Sequence, residues 1–448
     1  MKPDPKLNAL AVQLHGRQIG IINRLAGDRH LFSFEQEYID DPNRPTLSLS
    51  FKGQSGGLVT AVRPVGRRVP PFFSNLLPEG HLRTYLAEQA GVKPEREFFL
   101  LAVLGADLSG AVTVTPLTAD GHAVEMQKDD EHGHDNRRDD GVLRFSLAGV
   151  QLKFSAVMEP SGGLTIPAHG VGGSWIVKLP STQFQSVPEN EYVMLELARA
   201  VGITVPEIRL VPVSDIRGLP EAAARMKGKA LVVQRFDRAA GARRIHMEDF
   251  AQVFGLFPDD KYGHRSYANI ASVLWAETGE GGTYEFVRRL VFSVLIGNGD
   301  THLKNWSLLY PDGRKPILSP AYDFVATFPY IPGDKLALNF GGSQSLNEIT
   351  VDQVRRFTDT ARLPVSPVWE IVREVVERTV TAWKTLDQRD LLPSAMRKAI
   401  EKQIHAVLPV NPPWVQRAEP APVHNIVLIP AEPRSTVART GPRLSRGT

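Results

Sequence analysis

Residues 296–309 read Ile296-Gly297-Asn298-Gly299-Asp300-Thr301-His302-Leu303-Lys304-Asn305-Trp306-Ser307-Leu308-Leu309. The dense apolar run Phe286–Ile296 has helical spacing and leads into this stretch. Trp306–Leu309 leaves it as a short apolar strand. A polar loop held between two apolar elements is fixed at both ends, so its side chains line a defined wall. Within it, Asp300 and Asn305 are five positions apart.

Phosphoryl-transferring kinases use that spacing in their catalytic loop. The Asp orients the attacking hydroxyl and accepts its proton, and the Asn oxygen helps hold magnesium. A lone Asp-x-x-x-x-Asn is a common accident, so the order of its neighbours matters. Pro320-Ala321-Tyr322-Asp323-Phe324 follows a short strand, Pro316–Leu318. Asp323 thus stands where a kinase carries its second magnesium ligand, although it could equally be a turn residue. Upstream, Lys178 ends the apolar strand Trp175–Val177. It fits the lysine that binds the α- and β-phosphates, or else a strand lysine facing solvent. Glu191 and Glu189, both in the next helical pattern, compete as its partner.

A phosphate-covering loop should precede Lys178. Ser146–Lys153, with Gly149 between two strands, is the preferred candidate, and Gly170–Gly173 is the runner-up. Neither is G-x-G-x-x-G, but backbone N–H groups of a tight turn can still cradle phosphates. No G-x-x-x-x-G-K-[ST] occurs, which argues against a P-loop NTPase. Gln234-Arg235-Phe236 ends a strong strand just before the chain turns helical, where a kinase backbone meets adenine. Arg235 and Asp237 could equally be an ordinary surface pair. His302 could donate to a phosphate oxygen or be structural.

These pieces sit in an α+β chain of 448 residues, 42% hydrophobic and 23% charged, which excludes global disorder. We divide it into an N-terminal α+β module (1–117), a charged linker or loop (118–140), a β-rich nucleotide-binding lobe (141–240), a helical catalytic lobe (241–410) and a Pro-rich tail (411–448). In the module, His15-Gly16 is a turn between strands, and Leu47–Phe51 alternates like a strand. Helices are expected at His81–Ala90, Glu95–Leu104, Asn190–Val201, Phe286–Ile296, Val368–Leu386 and Ser394–Val407. The linker's His132 and His134 read as part of a solvated loop before a metal site. The tail reads as extended or disordered.

The absence of cysteine excludes disulfides, Cys-ligated zinc and thiol nucleophiles. There is no apolar stretch long enough to span a membrane and no apolar signal core at the start, so a soluble, cytoplasmic protein is expected. The excess of 52 basic over 49 acidic residues lies in the tail, and residues 1–410 are balanced. That balance argues against direct duplex DNA binding.

In combination the residues resemble the HipA-type serine/threonine kinases, toxins of bacterial type II toxin–antitoxin systems. The resemblance rests on Asn75–Gly80, Ser146–Lys153, Asn190-Glu191-Tyr192, Gln234–Arg238, Asn298-Gly299-Asp300 with His302 and Asn305, and Tyr322-Asp323. It spans roughly residues 8–408. It implies a two-lobed protein-kinase-like fold that uses ATP and Mg2+. Asp300 is then the catalytic base, and Asn305 and Asp323 hold the metal. Ala148, Gly149, Val150, Gln151, Leu152, Lys153, Lys178, Gln234, Arg235, Phe236, His302, Leu303, Lys304, Asn305, Tyr322 and Asp323 line the nucleotide. It also implies autophosphorylation at Ser146 that shuts the enzyme off. The implied target is a translation factor such as an aminoacyl-tRNA synthetase. The implied partner is a small helix-turn-helix antitoxin (HipB-like) through which DNA is met indirectly. Gln234 and Leu152 depart from the family's usual residues, and neither removes a catalytic group. Two alternatives stay open: a small-molecule kinase on the same scaffold, and a transcriptional co-repressor acting only with an antitoxin.

Overall fold

A computed structural model describes residues 3–4, 6–118, 153–159, 163–166, 173–239 and 243–407. The Ser146–Leu152 part of the candidate phosphate loop, Gly170 and Gly172 of the runner-up cluster, nearly all of the linker and the tail lie outside the described residues.

The N-terminal module is built on a five-stranded antiparallel sheet. Its order is Val65–Gly66, Arg29–Phe34, Arg17–Leu25, Ala9–Leu14, Val112–Pro116. His15 and Gly16 both have positive φ (52° and 79°), the hairpin turn whose twist matches its strands. Phe32, Phe72, Phe73, Phe98, Leu100 and Leu101 fill the core between this sheet and the helices Pro71–Ser74 and Glu97–Leu104.

Leu47–Phe51 is not a strand. Leu49–Phe51 is a single 3₁₀ turn capped by Ser48, whose hydroxyl accepts from Ser50 N–H. The Leu49 N–H (3.0 Å) and the Ser48 hydroxyl (2.5 Å) donate to the buried Glu248 carboxyl. A cap and a distant carboxyl satisfy the polar groups that a strand would have paired in a ladder.

The second lobe carries a six-stranded sheet. Its order is Ile216–Arg217, Leu164–Thr165, Lys153–Met158, Trp175–Lys178, Lys229–Gln234, Ile208–Pro212. Lys153 and Lys178 are direct cross-strand partners, so both side chains leave the same face. The helix Val187–Val201 packs on this sheet through Val193, Met194, Leu197, Ala198 and Val201.

The remainder is helical around a small three-stranded sheet of His246–Asp249, Ser307–Tyr310 and Ile317–Leu318. The helix Tyr267–Leu295 starts much earlier than its apolar run, at a Ser266–Asn269 capping box, and kinks at Gly279. It packs against Val351–Ala361 and Val365–Thr385. The latter begins at Val365, so Pro367 sits in the first turn, where its missing N–H costs nothing. Among the described residues no helix is long and apolar enough to cross a membrane.

Candidate active site

The Tyr267–Leu295 helix runs down to Ile296, and Gly297 (φ 66°) turns the chain out of it. A β-carbon at Gly297 would sit 2.2 Å from the Phe328 ring, so glycine is required by space as well as conformation. The loop is then knitted by its own polar groups. Asn298 Oδ1 accepts from Asp300 N–H (3.1 Å), and Asn298 Nδ2 donates to the Asp323 carbonyl (3.3 Å). Asn305 Nδ2 donates to the Asp300 carbonyl (2.6 Å). Gly299 N–H donates to Thr327 Oγ1 (2.7 Å). The backbone of the loop is therefore fixed, and the Asp300 carboxylate is left about half exposed. It accepts a hydrogen bond from the Tyr262 hydroxyl (2.7 Å).

Across from the loop, Asp323 has a left-handed backbone (φ 55°), a conformation Asp tolerates better than most residues. Lys178 Nζ bonds both Glu191 and Asp323, and Lys153 Nζ lies 3.3 Å from the other Asp323 oxygen. Glu191, not Glu189, is thus the helix partner of Lys178. Burial alone would neutralise Lys178, but Asp323 and Glu191 outweigh it and hold the ammonium charged. Burial would likewise raise Asp323, but Lys153 and Lys178 together push it well below the usual carboxylate range.

His302 is buried, and its Nε2 is 4.0 Å from Asp300 Oδ1, beyond hydrogen-bond reach. Burial pushes its pKa down to about 4, so the ring is neutral near pH 7. Leu303 is fully buried. Lys304 turns to the N-terminal module, where its Nζ donates to the Asn75 carbonyl (2.9 Å) and Asn75 Oδ1 (3.1 Å). The Tyr322 hydroxyl donates to the Lys304 carbonyl (2.8 Å), and its ring meets that of Phe236 at 5.7 Å.

Gln234 is exposed at its strand end. The Arg235 side chain is buried with Asp237, Asp107 and Arg238, so this is no surface pair. Burial would raise Asp237, and Arg235 with Arg238 holds it below its ordinary value. Sequence reasoning missed Tyr262. Lys261-Tyr262 follows a polar turn with no periodic pattern, and only the tertiary fold brings it to Asp300.

Asp323 and Asn305 offer hard oxygen donors. Among the described residues no group of three or more His, Asp and Glu side chains could form a metal cage. Magnesium in kinases takes one or two protein ligands and completes its shell with phosphates and water. Asn305 and Asp323 make up a donor set of that size, and in this structure both Asp323 oxygens are held by Lys178 and Lys153.

Residues 10–115 match the model of the HipA N-terminal domain, and residues 145–383 match that of the HipA-like C-terminal domain. This chain belongs to the HipA family. The Sinorhizobium fredii protein Y4dM is 50% identical over 405 residues, covering 90% of this chain and 97% of its own. The serine/threonine-protein kinase toxin HipA of Shewanella oneidensis is 26% identical over 412 residues, covering 82% of this chain and 88% of its own. Among solved structures, Shewanella oneidensis HipA in complex with HipB and operator DNA superposes with a TM-score of 0.66 at 22% identity. That match covers 88% of this chain and 95% of the other. The α+β, kinase-like fold is therefore that of a HipA-type kinase.

Proposed function

We propose that this chain is an ATP- and magnesium-dependent serine/threonine protein kinase acting in the cytoplasm as a growth-inhibiting toxin. The observation that carries the reading is that Asp323, held by Lys178 and Lys153, is tied through its carbonyl to Asn298 in the loop that presents Asp300. An acceptor hydroxyl placed at Asp300 gives up its proton to that carboxylate as its oxygen attacks the γ-phosphorus, whose bond to the β-phosphate oxygen breaks to release ADP. Lys178 and Lys153 offer positive charge to the phosphate oxygens. Asn305 and Asp323 would hold magnesium, which offsets phosphate charge when bound. The backbone of Gln234, Arg235 and Phe236, where the strand ends before the helical lobe, would meet the adenine. By family likeness, the target is a translation factor such as an aminoacyl-tRNA synthetase. The partner is a HipB-like antitoxin that brings the kinase to DNA indirectly.

The test is phosphate transfer from Mg–ATP by wild type and Asp300→Asn. The variant should fold and lose roughly 10²–10⁴ in rate. Near wild-type transfer would sink the assignment. Phosphorylation of Ser146 is proposed as the off-switch, since it adds about −1.5 to −2 charge. Mass spectrometry should find it on active protein and not on Asp300→Asn.

A further inference from the structure

Asn75–Gly80 belongs to the N-terminal module, yet its polar atoms end on the catalytic loop. Glu79 Oε1 lies 2.9 Å from Lys304 Nζ, and Glu79 Oε2 lies 2.7 Å from Lys261 Nζ. One carboxylate therefore bridges two lysines. Asn75 adds two acceptors to Lys304 and is itself fixed by donating to Leu256 O (2.8 Å) and Pro71 O (2.9 Å). Asp249 Oδ2 stands 3.7 Å from Lys304.

Both lysines flank the base. Lys304 immediately precedes Asn305. Lys261 immediately precedes Tyr262, which donates to Asp300, and the Lys261 carbonyl accepts from Leu303 N–H (3.3 Å). We propose that Glu79 is a positioning residue of the active site. By clasping Lys261 and Lys304 it fixes the Tyr262–Asp300 hydrogen bond and the Asp300–Asn305 loop, so the N-terminal module completes the catalytic machinery of the other two lobes.

A single exposed ion pair would be worth little. This carboxylate is mostly covered, 29% exposed, and takes two ammonium groups. Burial would raise its pKa, but Lys304 and Lys261 pull it down to about 2, so it stays charged. Without it, two cations would face one another across the segments that carry Tyr262 and Asn305. Their separation would shift the base, and misplacement by about 1 Å costs on the order of a hundredfold in rate.

The effect on rate rests on the kinase reading; the effect on the loop does not. The experiment compares wild type, Glu79→Gln and Glu79→Asp by hydrogen–deuterium exchange over residues 298–306, melting temperature, and kcat and KM for Mg–ATP. Glu79→Gln keeps the shape and loses the charge. It should speed exchange in the loop and lower kcat by about ten- to hundredfold with KM nearly constant. Glu79→Asp should restore part of both. Should Glu79→Gln fail to fold, Lys261→Met removes one arm of the clasp and should speed loop exchange likewise. Unchanged loop exchange in a folded variant overturns the proposal, as does a lowered melting temperature with unchanged kcat. If wild type itself transfers no phosphate while exchange still responds, the kinase reading falls and the positioning role stands.

Discussion

Lys178 and Asp323, 145 positions apart, form a direct ion pair where the six-stranded sheet meets the loop after Ile317–Leu318. Glu191 bonds the same ammonium, and both it and Lys178 are almost wholly buried. Such a cluster is weak evidence for stability, because desolvation offsets most of the attraction. It is better understood as a device that fixes charged groups in position.

Removing only the cation should therefore be costly. Lys178→Met leaves the buried Glu191 and the partly covered Asp323 with Lys153 alone beside them. It should lower unfolding stability by about 3–5 kcal/mol. Lys178→Met combined with Glu191→Leu should recover part of the loss, because the uncompensated charge is gone. Urea unfolding of the three proteins is the check. A single variant as stable as wild type would mean the cluster is not compensated as described.

Asp323→Ala should act differently. It removes one carboxylate and leaves Lys178 paired to Glu191. Stability should change less than in Lys178→Met, while Mg–ATP binding weakens. Calorimetry with and without magnesium separates the two effects. Equal Mg–ATP affinity in variant and wild type would place the metal elsewhere.

The fold was legible where one element carries its own pattern. Trp175-Ile176-Val177 announced a buried strand, and the helix through Phe286–Leu295 was visible from its apolar density. Leu47–Phe51 misled because alternation alone cannot distinguish a strand from a capped turn whose partner, Glu248, lies some two hundred positions away. The Val351–Ala361 helix was overlooked although Thr350-x-x-Gln353 is a capping box, now seen with both bonds formed. In the candidate site, Asp300 and Asn305 stood out by their spacing and Asp323 by its place after a short strand. Tyr262 and the role of Glu79 were not, because each acts through contacts between segments that share no local pattern. Lys304 was readable as part of the loop, but its direction, toward Asn75 and Glu79, is set by the tertiary fold.

Tyr262 offers a sharper kinetic test. Its hydroxyl donates to Asp300, and its ring stands edge-on to His302 at 5.1 Å. It is 46% exposed, so Tyr262→Phe should melt like wild type. Loss of a hydrogen bond to a charged group in a half-exposed site should lower kcat by about three- to tenfold. KM for the acceptor should hold steady. An unchanged kcat would mean the bond does not orient the base.

The last prediction concerns pH and the joint between the N-terminal module and the helical lobe. Glu248 is fully buried and accepts from Ser48 (2.5 Å), Leu49 N–H (3.0 Å) and Tyr310 (2.5 Å). Burial outweighs these three bonds and pushes its pKa up to about 7 from an ordinary value of 4.5. The native state therefore holds a proton that the unfolded chain has released. This stability is fully present below about pH 4.5 and is lost as pH rises through 7, amounting to about 3 kcal/mol. His246, on the same strand, is pushed by burial the other way, down to about 4 from 6.5. Its contribution is present above pH 6.5 and is lost as pH falls toward 4. Between about 4.5 and 6.5 the two slopes oppose each other, so stability from this pair should be nearly level, then fall above 6.5. Glu248→Gln mimics the protonated carboxyl and removes one of the slopes. The variant should be more stable than wild type above pH 7 and should lose stability steadily below 6.5. Denaturant midpoints from pH 4 to 8.5 decide it: parallel curves for the two proteins would show that folding leaves the Glu248 pKa unshifted.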